Sequence, residues 1–228
     1  MSVIYNISNF FQRVALNTFA DYKVVGQEKI PLYGPLLVVA NHQSNFDPPL
    51  VATSIGRRVR FLAKESIFQG PNLVSWFLTQ YGAYPLDRKG VGLNAYRWAI
   101  DQLARDQVIV IFPEGTRSRT GMKRALPGVT KLALETQAAI LPVGITGTEG
   151  FGHWMRVFNP TGTIRVNIGE AFYLPSLEGK ISKEVLRSLT DMIMKRIAEL
   201  LPSNYHGIYK DTGQSNKVGL ISEIEEKS

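Results

Sequence analysis

The chain has 228 residues, 44% of them hydrophobic and 20% charged, the balance of a globular domain with a full-sized core. It has no cysteine, which excludes disulfides, thiolate metal sites and a cysteine nucleophile, and its three histidines, His42, His153 and His206, lack any metal-ligand spacing, so no metal is expected. The net charge of +7 is concentrated in residues 57–131, where thirteen basic residues face five acidic ones; this predicts a negatively charged partner, and the lack of a recognisable DNA- or RNA-binding motif argues against nucleic acid.

Residues 3–19 place Val3, Ile4, Ile7, Phe10, Phe11 and Val14 near helical spacing, with Asn6, Asn9, Gln12, Arg13 and Asn17 between them, which predicts an amphipathic helix over residues 1–20. It is too short and too polar to span a bilayer and lacks the cationic start and cleavage site of a signal peptide. Two placements suit it: its apolar face packs on the domain, or it lies in the plane of a membrane and presents Phe10, Phe11 and Phe19 to acyl chains.

A strand is expected at 22–25, then a turn through Gly26 and Pro31, then a strand at 36–40 whose unbroken apolar run reads as buried on both faces. A helix follows over 48–55, with Asp47 as its N-cap and Pro48 as its first residue. Beyond it come a strand at 60–63, a helix at 72–81, a strand at 83–86, a helix at 94–105 and a second apolar strand at 108–112. A helix at 129–137, strands at 140–145 and 163–168, and a helix at 183–201 stopped by Pro202 complete the alternation. The pattern predicts an α/β fold, a largely parallel central sheet flanked by helices, in one domain over 21–209. Residues 210–228, rich in Gly, Ser, Asn, Lys and Glu, read as a flexible tail.

Each of the two apolar strands runs into a polar block: Asn41-His42-Gln43-Ser44-Asn45-Phe46-Asp47 after the first, Phe112-Pro113-Glu114-Gly115-Thr116-Arg117-Ser118 after the second. Open α/β sheets gather ligands beyond the carboxyl ends of their strands, so both blocks are expected at one crevice. His42 with a carboxylate on its second ring nitrogen would make a general base, a role open to Asp47 beside that of helix cap. Gly115 lets backbone approach a ligand, Thr116 adds a hydroxyl donor, and Arg117 offers a fork suited to phosphate oxygens.

These blocks resemble the H-x-x-x-x-D and F-P-E-G-T-R-S motifs of the glycerolipid acyltransferases, most closely the lysophosphatidic acid acyltransferases. Gly82-Ala83-Tyr84-Pro85-Leu86-Asp87-Arg88 resembles the family's G-x-x-x-x-x-R segment, and Leu141-Pro142-Val143-Gly144-Ile145 its Pro-containing strand, so the resemblance covers roughly residues 22–170. It implies acyl transfer from acyl-CoA or an acyl carrier protein to the sn-2 hydroxyl of lysophosphatidate, without a further cofactor, at an anionic membrane surface on the cytoplasmic face of the cell membrane. By the same resemblance His42 is the base oriented by Asp47, and Arg88, Glu114, Gly115, Thr116 and Arg117 bind substrate, Glu114 by positioning Arg117 or the acceptor hydroxyl. Pro142 is implied near the acyl site. The substrate hydroxyl attacks the thioester directly in this scheme, which leaves Ser44 as a turn residue.

Three other readings fit parts of the pattern. The acceptor could be glycerol 3-phosphate or another lysophospholipid. A lipid hydrolase would use His42 to activate water or a serine, although no G-x-S-x-G elbow occurs. A non-catalytic basic module would bind anionic membranes without needing His42 or Asp47.

Overall fold

Leu36–Ala40 (β2) is buried at all five positions, as an unbroken apolar run requires, and it lies at the centre of the sheet between Val108–Ile111 (β5) and Ala139–Thr146 (β6), parallel to both. The computed structural model describes residues 3–86, 92–151, 156, 159–177, 179 and 181–210. Among these, Ala20–Val25 (β1), Val59–Lys64 (β3), Ala83–Leu86 (β4) and Gly162–Ile168 (β7) complete a sheet in the order β1-β7-β6-β2-β5-β3-β4. β6, β2, β5, β3 and β4 run parallel, while β7 pairs antiparallel with β6 and carries β1 parallel to itself at the edge. The expected α/β class and largely parallel sheet are therefore present.

Alternation along the central strands sorts the core into two layers. Leu36, Val38 and Ala40 point to one face and pack with Val3–Phe19 (α1), Asp47–Ile55 (α2) and Asn72–Tyr81 (α3). Leu37 and Val39 point to the other and pack with Leu93–Ala104 (α4), Gly128–Thr136 (α5) and Lys183–Ala198 (α6). Each fully buried Leu, Ile or Val side chain in these layers contributes about 1.5–3 kcal/mol of transfer free energy.

The packing of α1 narrows a choice that the sequence leaves open, and one expectation, at Asp47, needs correction. The α1 residues that reach the core are Tyr5, Gln12 and Leu16, so the stripe of Val3, Ile7, Phe10, Phe11 and Val14 faces outward rather than onto the domain. Asp47 is not the N-cap of α2 but its first residue, preceded by Phe46, and its carboxylate makes no bond to the first turn. A cap oxygen bonds the N–H two or three residues on. Pro49 has none, and Leu50 N–H is already donated to Phe46 O at 3.0 Å.

Pro142 sits within β6, opposite Val39, although proline is rare in central strands. Its carbonyl accepts from Gly169 N, so its missing N–H faces the end of β7 and the ladder to β2 is intact. Arg88, His153, Trp154 and the tail beyond Lys210 lie outside the described residues.

Candidate active site

The parallel strands deliver both polar blocks to one end of the sheet, because β2 and β5 are neighbours in register and each block begins where its strand stops. His42 Nδ1 lies 2.8 Å from Asp47 Oδ2, and the Asp47 side chain is wholly buried while that of His42 stays 17% exposed. The same Oδ2 accepts Gln43 N–H at 2.6 Å and Ser44 N–H at 2.8 Å, and Oδ1 accepts the Thr148 hydroxyl at 2.6 Å. The released cap role is thus replaced by four donors, the satisfaction that a buried carboxylate requires. With Nδ1–H given to Asp47, the lone pair of Nε2 remains free to accept a proton. The imidazole also stacks on Phe112, with centroids 4.2 Å apart and planes at 24°.

Neighbouring contacts hold the His42 backbone rather than its ring. Glu114 Oε1 accepts His42 N–H at 3.1 Å and Oε2 accepts Lys123 N–H at 2.7 Å, while Ser118 N–H donates to His42 O at 2.7 Å. Residues 114 and 118 therefore clamp His42 between them, and the Gly115-Thr116-Arg117 turn that joins them lies beside it. Thr116 and Arg117 are exposed at that turn. Gly115 has φ +64°, and a Cβ there would come within 2.9 Å of the Leu126 side chain, so the turn needs glycine. Burial pushes the Glu114 carboxyl above the usual range, partly opposed by its two N–H donors. Glu114 was expected to position Arg117 or the acceptor hydroxyl; among the described residues its oxygens bond these two backbone amides.

Asn41 anchors the backbone in a similar way, one residue earlier. Its amide donates to Ile145 O at 2.8 Å and accepts Ile145 N–H at 2.7 Å, riveting the end of β2 to β6. Ser44 is a turn residue as expected: its hydroxyl accepts Phe46 N–H and donates to Phe151 O, both at 3.1 Å. The segment after α6 braces the second block from outside, since Tyr205 O accepts Met122 N–H at 2.9 Å and the Tyr205 hydroxyl donates to Glu149 at 2.8 Å. Thr148 and Tyr205 were not among the expected site residues, and Phe112 was expected only as part of its block, not as the ring on which His42 stacks.

Of the predicted site residues, His42, Asp47, Glu114, Gly115, Thr116 and Arg117 come together here. Pro142 is buried three residues down the neighbouring strand, packed near Gly169, and Arg88 falls outside the described residues. No group of three or more His, Cys, Asp or Glu arranged to hold a metal occurs among the described residues.

Residues 21–146 match the model of the family described as Acyltransferase. A 1-acyl-sn-glycerol-3-phosphate acyltransferase of Bacillus subtilis is 25% identical over 191 residues, covering 82% of this chain and 92% of that protein. One from Borreliella burgdorferi is 28% identical over 177 residues, covering 76% of this chain and 70% of that one. The crystal structure of the 1-acyl-sn-glycerophosphate acyltransferase PlsC from Thermotoga maritima superposes with a TM-score of 0.66 at 28% identity, over 87% of this chain and 78% of that one.

Proposed function

The chain belongs to the acyltransferase family, and from that premise we propose that it transfers a fatty acyl group from a thioester to the sn-2 hydroxyl of 1-acyl-sn-glycerol 3-phosphate, giving phosphatidate. The observation that carries the reading is the pairing of His42 with the buried Asp47 at 2.8 Å, beside a turn whose Thr116 and Arg117 are exposed. Nε2 of His42 takes the proton of the acceptor hydroxyl as its oxygen attacks the thioester carbonyl carbon. Asp47 stabilises the imidazolium that forms, and collapse of the tetrahedral intermediate breaks the carbon–sulfur bond. The imidazolium then protonates the departing thiolate, so atoms and charge balance without an acyl-enzyme.

Arg117 supplies the phosphate contact from the turn, with Thr116 as a second donor, and Arg88 is a further phosphate ligand in this reading. The donor is acyl-CoA or an acyl carrier protein, and no other cofactor takes part. A hydrolase has less support, since a phosphate-binding turn beside the base serves an acceptor that simple ester hydrolysis lacks.

The enzyme meets its lipid substrates at the membrane surface. No helix among the described residues is long and apolar enough to cross a membrane. α1 and α3 instead lie side by side, joined by Tyr5 against Tyr81 at 5.3 Å and by the Tyr81 hydroxyl donating to Asn9, and both turn apolar side chains outward. Phe10 and Phe11 are 63% and 65% exposed, and Leu73 and Trp76 are 73% and 52% exposed. Exposed apolar side chains on two neighbouring helices suit in-plane insertion, with the basic excess of residues 57–131 attracting the anionic cytoplasmic leaflet. Mass spectrometry of products formed from lysophosphatidate, other lysolipids and glycerol 3-phosphate, each with both donor types, tests the assignment. Faster acylation of another acceptor would reject it.

A further inference from the structure

A cavity of about 290 Å³ lies between the first half of α1 and the connection from α2 to β3, lined by Asn6, Asn9, Phe10, Arg13, Ala52 and the run Gly56-Arg57-Arg58, with Tyr5 at its base. It precedes Val59, the first residue of β3, whereas His42 follows the last residue of β2, so the two sites lie at opposite ends of the parallel strands. Its lining contains three arginines and no carboxylate.

Arg57 is committed to the fold, donating to Pro31 O at 2.8 Å and Gly34 O at 2.7 Å. Arg58 is not. Its guanidinium rests over the Tyr5 ring at 5.6 Å, it has no acidic partner among the described residues, and its Nε is buried without an acceptor. Arg13, also in the lining, makes one long bond, to Thr53 O at 3.3 Å, and has no acidic partner among the described residues. Asn9 turns its amide oxygen to the Tyr81 hydroxyl at 2.7 Å, which presents its NH₂ as a further donor. Uncompensated cations and amide donors without a carboxylate among them are the recognition chemistry of a phosphate.

We infer that this cavity is a second, non-catalytic site for an anionic phospholipid, its phosphate held by Arg13, Arg58 and Asn9. The lipid source follows from Phe10, which lines the cavity and continues into the outward stripe of Ile7, Phe11 and Val14, so acyl chains leaving the head group run along apolar side chains. A free phosphate would leave that rim unused. The inference extends the membrane contact proposed above and uses none of the acyl-transfer chemistry.

Calorimetric titration of the full chain with dihexanoyl phosphatidylglycerol, below its micelle concentration, tests it. This lipid is anionic but has no free sn-2 hydroxyl to acylate. One saturable site is expected, with affinity at least about tenfold above that for inorganic phosphate or dihexanoyl phosphatidylcholine. The Arg13→Gln, Arg58→Gln double variant should lose that binding. Asn6→Glu, on the exposed side of α1, should lose it as well by placing a carboxylate in the cavity without touching the core. Wild-type affinity in Asn6→Glu, equal binding of inorganic phosphate or of the zwitterionic lipid, or loss of the site in Arg117→Ala instead, would overturn the inference while leaving the assignment of His42 and Asp47 untouched.

Discussion

Thr148 donates its hydroxyl to Asp47 Oδ1 at 2.6 Å, a contact across 101 residues that ties the loop after β2 to the segment after β6. Oδ2 is occupied by the imidazole and two backbone amides, so Thr148 alone satisfies the other half of a carboxylate that is fully buried. Thr148→Val keeps the shape and removes the donor. It should lower stability by about 1–3 kcal/mol, the cost of an unmet buried acceptor, and reduce kcat with little change in KM. Urea midpoints and steady-state kinetics on the one variant check both.

The Glu114 clamp has a distinct pH signature. A carboxyl whose pKa burial raises binds its proton more readily folded than unfolded, so its ionised form subtracts stability at neutral pH and that penalty is relieved as pH falls through the raised value. Glu114→Gln removes the titration and sets an NH₂ against one of the two N–H donors, His42 or Lys123. The variant should be about 1–3 kcal/mol less stable at pH 7, and its deficit against wild type should widen towards pH 5. Denaturation curves at both values read this directly; a deficit that narrows on acidification would mean that the two N–H donors outweigh burial and hold the carboxyl low.

Arg117 stands exposed on the turn, so Arg117→Ala should leave the fold unchanged. Losing a charge-assisted phosphate contact is worth on the order of 1.5–3 kcal/mol, and KM for the phosphate-bearing acceptor should rise about ten- to a hundredfold. KM for the thioester should stay near wild type. An equal loss on an acceptor without phosphate would make Arg117 structural.

For the outward face of α1 and α3, Phe11→Asp with Trp76→Asp replaces two exposed aromatics at separate points. The thermal midpoint should hold, because neither side chain is in the core. Sedimentation with anionic vesicles should fall, and activity should fall on vesicle-embedded acceptor while surviving on detergent-dispersed acceptor. Unchanged sedimentation would move the membrane contact elsewhere.

Most of the architecture was legible in the chain because apolar periodicity and unbroken strand runs report burial directly. β2 and β5 announced themselves as central strands, and the polar blocks after them marked the carboxyl end where the site lies. What the sequence hid was direction and long-range partnership. The stripe on α1 has helical spacing whichever way it faces, and only the packing of Tyr5, Gln12 and Leu16 shows that it points away from the core. Asp47 carried a cap signal that Pro49 silenced, a conflict visible in the sequence once the missing N–H is counted. Glu114, read as a neighbour of Arg117, spends its oxygens on amides at 42 and 123, and no local pattern encodes such a bridge. Thr148 and Tyr205 entered the site only through tertiary contact.

His42 as base and Asp47 as its orienting partner stand or fall on acyl-CoA-dependent thiol release with 1-acyl-sn-glycerol 3-phosphate, compared for wild type, His42→Ala and Asp47→Asn. Asparagine can keep its oxygen towards the imidazole and the two amides and turn its NH₂ to the Thr148 hydroxyl, so that variant should fold while losing the charge that supports the imidazolium. Both variants should be folded by circular dichroism, with release slowed by about 10²–10⁴-fold in His42→Ala and strongly reduced in Asp47→Asn. A folded His42→Ala enzyme that retained more than about a tenth of the wild-type rate would contradict the assignment of His42 as base.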